Sequence, residues 1–130
     1  MVIRAPRRVV WERVRDIESH VDWMTDAEAI RITGPSTFEC DTRVGPFRLL
    51  DRMEVVEWSE GRSIGIRHVG LVTGTGRFTL RPLGRGRTRF RWEERLDLPW
   101  WMAPPAARLV LRLVWRRNLR NLKRLVESGG

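Results

Sequence analysis

Glu94 is the acidic residue whose surroundings best suit acid–base chemistry. The stretch TRFRWEERL at 88–96 alternates with period two, which places Glu94 on the same strand face as Phe90 and Trp92. If that face lines a cavity, burial among apolar groups is expected to raise the pKa of the carboxyl group, as a general acid or base requires. The alternatives are that Glu94 pairs with an arginine or lies in water at the open end of a sheet.

His68 and Arg52 are the other two candidates for catalysis. His68 alternates with Ile64 and Ile66, which predicts either a proton shuttle or a structural histidine. Asp51 and Arg52 are neighbours on one predicted strand and therefore face opposite ways, and the sequence leaves open which of them points inward. An inward Arg52 would bind a carboxylate, phosphate or enolate oxygen, whereas structural pairing is the alternative for both residues.

Metal and cofactor chemistry find little support in the residue types. Two histidines and one cysteine, Cys40, give neither a His-rich nor a cysteine-based metal site, nor an internal disulfide. A site made of carboxylates alone stays open. Gly70, Gly74 and Gly76 lack the Gly-Lys-Ser/Thr ending of a phosphate-binding loop. In a strand, such glycines indicate a bulge or a bend of a curved sheet. Apart from the carboxylate site left open above, we expect neither a metal nor a cofactor.

The composition is that of one globular domain, which we expect to cover residues 1–130. Hydrophobic residues make up 42% and charged residues 32% of the chain. The net charge is +9, and Lys123 is the one lysine among 25 basic residues. This arginine bias is typical of a GC-rich genome, or it favours acidic partners. No nucleic-acid motif accompanies it, so nucleic acid is not expected as a partner. The N-terminus does not resemble a signal peptide, and a cytoplasmic location is expected.

The hydrophobic periodicity predicts helices at both ends of the chain and strands between them. Val10, Val14 and Ile17 recur at helical spacing and predict a helix over 6–18, with Trp11 as its core anchor. Ser19 and Asp22 resemble a capping box that opens a second short helix. A long helix is expected over roughly 104–127, with an apolar stripe and a row of arginines. Six strands are predicted over 28–33, 37–43, 48–58, 62–69, 74–82 and 87–97. The result is an α+β architecture with an antiparallel sheet.

Four stretches, in this order, resemble the START/polyketide-cyclase (SRPBCC) superfamily. The first is APRRVVWERVRDIESHVDWM at 5–24, and the others are VGPFRLLDRMEVVEW at 44–58, GRFTLRPLGRGRTRFRWEE at 76–94 and NLRNLKRLVE at 118–127. The resemblance covers nearly the whole chain. In the first stretch the superfamily pattern is carried by Ala5, Pro6, Val10, Trp11, Asp16 and Trp23.

The resemblance implies the helix-grip fold. In that fold a seven-stranded curved antiparallel sheet wraps a long C-terminal helix, two short helices follow the first strand, and a cavity lies between sheet and helix. The chain departs from the family in two ways. Either its first strand is truncated or the true start codon lies upstream. It also has no tyrosine, whereas aromatase/cyclase relatives commonly use a cavity tyrosine with arginines.

Binding of a small apolar ligand such as a lipid, quinone or polyketide is the leading functional expectation. The alternative is a polyketide aromatase/cyclase or dehydratase, in which Glu94 or His68 is the base and Arg52 or Arg67 holds the enolate oxygen. The expected ligand-binding residues are Trp23, Met24, Phe38, Ile64, Ile66, Phe78, Phe90, Trp92, Trp101 and Leu111.

The sequence leaves room for two partners besides the ligand, an anionic membrane surface and a second copy of the chain. The predicted C-terminal helix carries seven basic residues and one acidic one, and Trp100, Trp101 and Met102 precede it, so it either touches an anionic membrane surface or is simply solvated. A short first strand that leaves a sheet edge open would allow pairing with a second copy as a homodimer.

Overall fold

A seven-stranded antiparallel sheet and a long C-terminal helix form the structure, which is a computed structural model. It describes residues 1–97 and 105–129, with every side chain of these ranges except those of 105–107. The order of elements is strand, two short helices, six strands and one helix. Their bounds are β1 (Val2–Ile3), α1 (Arg7–Val14), a 3₁₀ helix (Ile17–Asp22), β2 (Ala27–Ile32), β3 (Thr37–Val44), β4 (Phe47–Ser59), β5 (Ser63–Val69), β6 (Thr73–Pro82), β7 (Thr88–Asp97) and α2 (Pro105–Glu127).

Each strand from β2 to β7 pairs with its neighbour in sequence. The order across the sheet is β1-β7-β6-β5-β4-β3-β2, and every pair is antiparallel. Short connections favour this arrangement because two antiparallel strands need only a tight turn between them. β1 is short and pairs only Val2 and Ile3 with the start of β7. The α+β class and the helix-grip architecture are confirmed.

The strand predictions are accurate because the side chains of these strands alternate between two environments. Every strand predicted between 28 and 97 ends within one residue of an observed strand at both ends. In β7 the inner face holds the fully buried Phe90, whereas Arg89 and Arg91 on the outer face are exposed. This period-two burial is what the sequence pattern records.

The first helix is shorter than predicted. A single helix over 6–18 is wrong, because α1 ends at Val14 and a 3₁₀ helix begins at Ile17. Asp16 leaves the helical region, with φ −84° and ψ 88°. Ser19 does not open a second helix as a capping residue either, because its hydroxyl donates to the Asp16 carbonyl at 2.7 Å within the 3₁₀ turn.

The main hydrophobic core lies where the C-terminal half of α2 meets α1, β1 and the inner face of the sheet. Val10, Val14, Ile3 and Leu122 are all completely buried there. Burying a side chain of this size contributes about 1.5–3 kcal/mol relative to exposure. Trp11 lies in the same core, and its indole N–H donates to Glu60 at 2.8 Å.

The N-terminal half of α2 lies over a cavity and not over the hydrophobic core. Leu109 and Leu113 point to solvent, whereas Leu111 and Trp115 face the sheet. Asn118, one turn after Trp115, is completely buried. Its side chain accepts from the backbone N–H of residue 25 at 2.9 Å and donates to the Asp26 carboxylate at 2.7 Å. These hydrogen bonds connect α2 to the segment before β2, at the boundary between the hydrophobic core and the cavity.

Candidate ligand cavity and its polar cluster

A cavity of about 650 Å³ lies between the inner face of the sheet and the N-terminal half of α2. Pockets for one small molecule are commonly about 300–1,000 Å³, so this volume suits a single ligand. Most of its wall is apolar. Of the ten predicted ligand-binding residues, seven line it: Met24, Phe38, Ile64, Ile66, Phe78, Trp92 and Leu111.

Two of the predicted ligand contacts belong to the core instead. Trp23 is one of the expected ligand-binding residues, but it is only 1% exposed and its ring packs against His20, Phe78 and Trp92. Phe90 is also 1% exposed and packs behind Phe78. Both are corrections with one cause, since a second aromatic layer stands between these rings and the cavity. The predicted contact Trp101, with Trp100 and Met102, lies outside the described residues.

Asp51, His68 and Glu94 meet in the cavity wall and form what we call the polar cluster. The Nδ1 atom of His68 lies 3.0 Å from both carboxylate oxygens of Asp51, and its Nε2 atom lies 3.2 Å from Oε2 of Glu94. Trp92 donates its indole N–H to Oε1 of Glu94 at 3.0 Å. All three cluster residues line the cavity. Of the alternatives weighed for Glu94, pairing is observed, but with a histidine instead of an arginine.

The cluster is assembled from three strands, with glycines in the strand between His68 and Glu94. His68 lies on β5 and Glu94 on β7, so β6 separates them. Their register partners on β6 are Gly74 and Gly76, which place no side chain between them. A Cβ atom at Gly76 would lie 2.5 Å from Oε1 of Glu94, closer than real Cβ contacts come. Gly76 therefore makes the room in which the carboxylate sits.

His68 is held as a cation by this arrangement. Burial alone lowers the pKa of an imidazole, but the hydrogen bonds to Asp51 and Glu94 and the charges of those carboxylates outweigh it. The pKa of His68 is raised from 6.5 to about 9. Both ring nitrogens then carry a hydrogen, and each donates to one carboxylate.

His20 and Cys40 line another part of the cavity and are uncharged at neutral pH. Burial lowers the pKa of His20 to about 4, and its Nε2 atom lies 2.7 Å from the Val14 carbonyl. A carbonyl oxygen only accepts, so Nε2 carries the hydrogen and Nδ1 is an acceptor. Burial raises the pKa of the Cys40 thiol to about 11, which leaves it protonated and a poor nucleophile.

The arginines proposed as oxyanion donors face away from the cavity. Asp51 is the inward member of its pair, and Arg52 is exposed on the outer face of β4. Arg67 is also outside, where its guanidinium donates to Glu54 at 2.9 Å. Strand alternation decides both cases, because the residues beside them, Asp51 and His68, point inward. The expectation that Arg52 or Arg67 holds a ligand oxygen is therefore corrected.

Sequence reasoning missed the roles of several residues of the site that have a local signal. Gly74 and Gly76 occupy inward-facing positions of β6, where they have no side chain. Two such glycines in alternation indicate that side chains from the neighbouring strands, here His68 and Glu94, extend over β6 at this point. Asn118 interrupts the apolar stripe of α2, and a polar residue in such a stripe predicts a buried partner. Asp26, its partner, also lines the cavity.

In residues 1–97 and 105–129, no group of three or more His, Cys, Asp or Glu side chains is arranged to hold a metal ion. Within the same residues, no helix has the length and apolar character needed to cross a lipid bilayer.

Comparison with known sequences identifies one family. The model of the family described as "Polyketide cyclase / dehydrase and lipid transport" matches residues 1–127. No curated protein matches the sequence.

Solved structures with the same fold are numerous, and three illustrate the range. A conserved protein from Geobacillus kaustophilus superimposes with a TM-score of 0.85 at 13% identity, covering 98% of this chain and 92% of its own. A START superfamily protein from Mycobacterium smegmatis gives 0.80 at 17% identity, covering 100% and 95%. The Zhui aromatase/cyclase from Streptomyces sp. R1128 gives 0.68 at 19% identity, covering 99% and 88%. At these identities the likeness concerns the fold.

Proposed function

Since this chain belongs to the polyketide cyclase / dehydrase and lipid transport family, we propose that it binds one small apolar molecule between the sheet and α2. A lipid, a quinone or a polyketide is the expected class. One observation carries the proposal, namely a cavity of about 650 Å³ whose wall is apolar apart from a few polar groups. Such a wall excludes bulk water from a ligand, and its few polar groups fix the ligand's orientation.

Native mass spectrometry of the protein purified gently from its own host tests this proposal. We expect a defined apolar molecule at a ratio near one to one, which extraction then identifies. A clean apo mass, with no uptake from a panel of lipids, quinones and polyketides, contradicts it.

A matched pair of variants connects uptake with the cavity. Ile66→Trp places a large ring in the cavity wall and is expected to abolish uptake, because it fills the ligand's space. Val56→Trp adds the same ring at a position of β4 that is 52% exposed, and is expected to leave uptake unchanged. Equal uptake by both variants would place the ligand elsewhere.

Catalysis of ring closure or dehydration in a polyketide-like substrate is the second candidate, and the polar cluster favours it. Aldol closure needs a base that removes a proton next to a carbonyl and a donor that holds the enolate oxygen. Glu94 is the base in this candidate. With Arg52 and Arg67 on the outer face, protonated His68 is the donor that would have to turn from a carboxylate to the substrate.

Cyclisation of a synthetic poly-β-carbonyl thioester, followed by mass spectrometry of the products, tests this candidate. Glu94→Gln removes the base and is expected to reduce the rate to the uncatalysed level. Glu54→Gln makes the same change on the outer face of β4, where Glu54 pairs with Arg67, and is expected to have no effect. Equal rates for both variants contradict a role of the cluster in the reaction.

An anionic membrane is the proposed surface for ligand exchange. Phe47, Leu71 and Val110 line the cavity and are also exposed, so they form an apolar rim at its mouth. Arg108 and Arg112 flank the rim residue Val110 in the sequence of α2, and both are exposed. Apolar groups flanked by arginines suit insertion at an anionic lipid surface. Salt-sensitive binding to phosphatidylserine liposomes that is lost in Phe47→Ser, but kept in Ile32→Ser on the edge strand β2, is the expected result.

A further inference from the structure

The polar cluster offers a ligand hydrogen-bond acceptors, and its own donors are already used. Both N–H groups of His68 donate to carboxylates, and the indole N–H of Trp92 donates to Glu94. A carboxylate has about four lone-pair positions, so Asp51 and Glu94 keep acceptor capacity after these bonds are made. A ligand group at this wall must therefore donate.

Most of the remaining polar groups of the described cavity wall have the same bias, and the donors that also border the cavity are the indole N–H of Trp115, on α2, and the guanidinium groups of Arg48 and Arg77. Neutral His20 presents its acceptor Nδ1 once Nε2–H has donated to Val14. Asp26 accepts from Asn118 and has a second carboxylate oxygen. The Thr42 hydroxyl donates to the Cys40 sulfur at 3.5 Å, and the Cys40 thiol is only a weak donor.

The charge inside the cavity is negative, although the protein as a whole is strongly basic. Asp26, Asp51 and Glu94 contribute three carboxylates to the cavity wall. Within residues 1–97 and 105–129, His68 is the one histidine of that wall that carries a positive charge at neutral pH. Arg77 also borders the cavity, but its guanidinium turns outward and donates to Glu57 at 3.0 Å. Arg48 also lines the cavity, but it is exposed next to the rim residue Phe47, where solvent screens its charge.

We propose that the bound molecule carries a hydrogen-bond donor at its polar end, that a primary amine binds more tightly than a hydroxyl, and that carboxylates and ketones are rejected. This inference rests on the proposed binding function and narrows it. The donor would lie against Asp51 and Glu94, with the apolar body along Ile66, Phe78 and Leu111. A ketone or quinone oxygen meets only acceptors at the cluster, and a ligand carboxylate also meets like charge.

Four ligands with the same chain separate these cases. 1-Aminodecane, 1-decanol, 2-decanone and decanoate share ten carbons and differ in the polar end. Isothermal titration calorimetry at pH 7 is expected to rank them in that order, with the amine at least about tenfold tighter than decanoate because hydrogen bonds to charged groups are the strong ones. The net charge of +9 attracts the carboxylate, so non-specific surface binding predicts the opposite order.

Two variants assign the preference to the cluster. Glu94→Gln removes one carboxylate and adds an amide donor, so we expect the amine to lose about tenfold in affinity and the ketone to gain. Glu54→Gln, the outer-face control on β4, is expected to leave all four affinities unchanged. If Glu94→Gln fails to fold, Asp51→Asn provides the same test from the other side of His68.

The outcomes distinguish this inference from the function on which it rests. Equal or tighter binding of decanoate or 2-decanone to the unaltered protein overturns the donor preference and leaves the binding function standing. Loss of amine affinity in Glu54→Gln as large as in Glu94→Gln also overturns it. If all four ligands fail to bind and the protein from its host has an apo mass, the proposed binding function itself is wrong.

Discussion

The titration of His68 is the most direct test of the polar cluster. Because the folded protein holds the His68 pKa at about 9 while the unfolded chain has 6.5, folding is linked to proton binding. One pKa unit corresponds to about 1.4 kcal/mol, so the cluster contributes at most about 3–4 kcal/mol to the free energy of unfolding. That contribution is complete below pH 6.5 and is lost as the pH rises through about 9.

The second histidine gives the opposite dependence and serves as an internal control. Burial holds the pKa of His20 at about 4, so the folded protein binds this proton less tightly than the unfolded chain does. Its contribution is complete above pH 6.5 and is lost as the pH falls through about 4. The two histidines together predict a stability that declines on both sides of pH 6.5.

The assay is a proton–carbon NMR titration of the two imidazole rings, with urea unfolding at several pH values followed by tryptophan fluorescence. With only two histidines in the chain, the two ring signals are assigned by His68→Gln. Glu94→Gln should lower the His68 pKa because it removes one of two ionic partners, whereas Glu54→Gln should leave it unchanged.

A His68 pKa at or below 6.5 in the folded protein would refute the reasoning. It would mean that burial outweighs the two carboxylates. An unfolding free energy that does not fall between pH 6.5 and 9 would refute it independently, as would an equal decline in His68→Gln.

Three further predictions concern stability and are measured by urea unfolding. Leu122→Ala, at a completely buried position of α2, should cost about 2–5 kcal/mol through the cavity it leaves; a loss under about 1 kcal/mol would contradict the assignment of this position to the core. Asn118→Ala should cost about 1–3 kcal/mol because it leaves the amide of residue 25 and Asp26 unpartnered, and Asn118→Asp should cost more by adding charge beside Asp26. Gly74→Ala should prevent folding or destabilise the protein more than Gly61→Ala does. Gly74 has φ +131°, and a Cβ atom there would lie 1.9 Å from the Arg95 carbonyl oxygen. Gly61 has φ +77°, and a Cβ atom there would meet no atom beyond its chain neighbours within 4 Å.

Much of the fold was predictable because its signals are local. The alternation in 88–96 predicted β7, and the apolar stripe around Trp115 and Leu122 predicted α2. The break at Asp16 was missed because a single residue's dihedral angles decide it, and helical periodicity continues across it to Ile17. Nothing in the pattern distinguishes a continuous helix from a helix followed by a 3₁₀ turn.

The candidate site was predictable in part. His68 and Glu94 were selected because each alternates with apolar residues, and both line the cavity. Their contact with one another was not predictable, since it crosses β6 and depends on the register of three strands. Arg52 was preferred to its neighbour Asp51 on chemical grounds, and strand orientation decided for Asp51.

The sequence by itself determined the order of elements, the strand bounds and the alternation that gives each strand two faces, because these depend on residues close to one another along the chain. Only the tertiary structure decided which face looks into the cavity and which aromatic rings line it. Trp23 and Phe90 have the same apolar character as Trp92, but they lie one layer deeper. How far a ring lies from the cavity is set by packing between elements that are distant in sequence, and a local sequence pattern does not predict it.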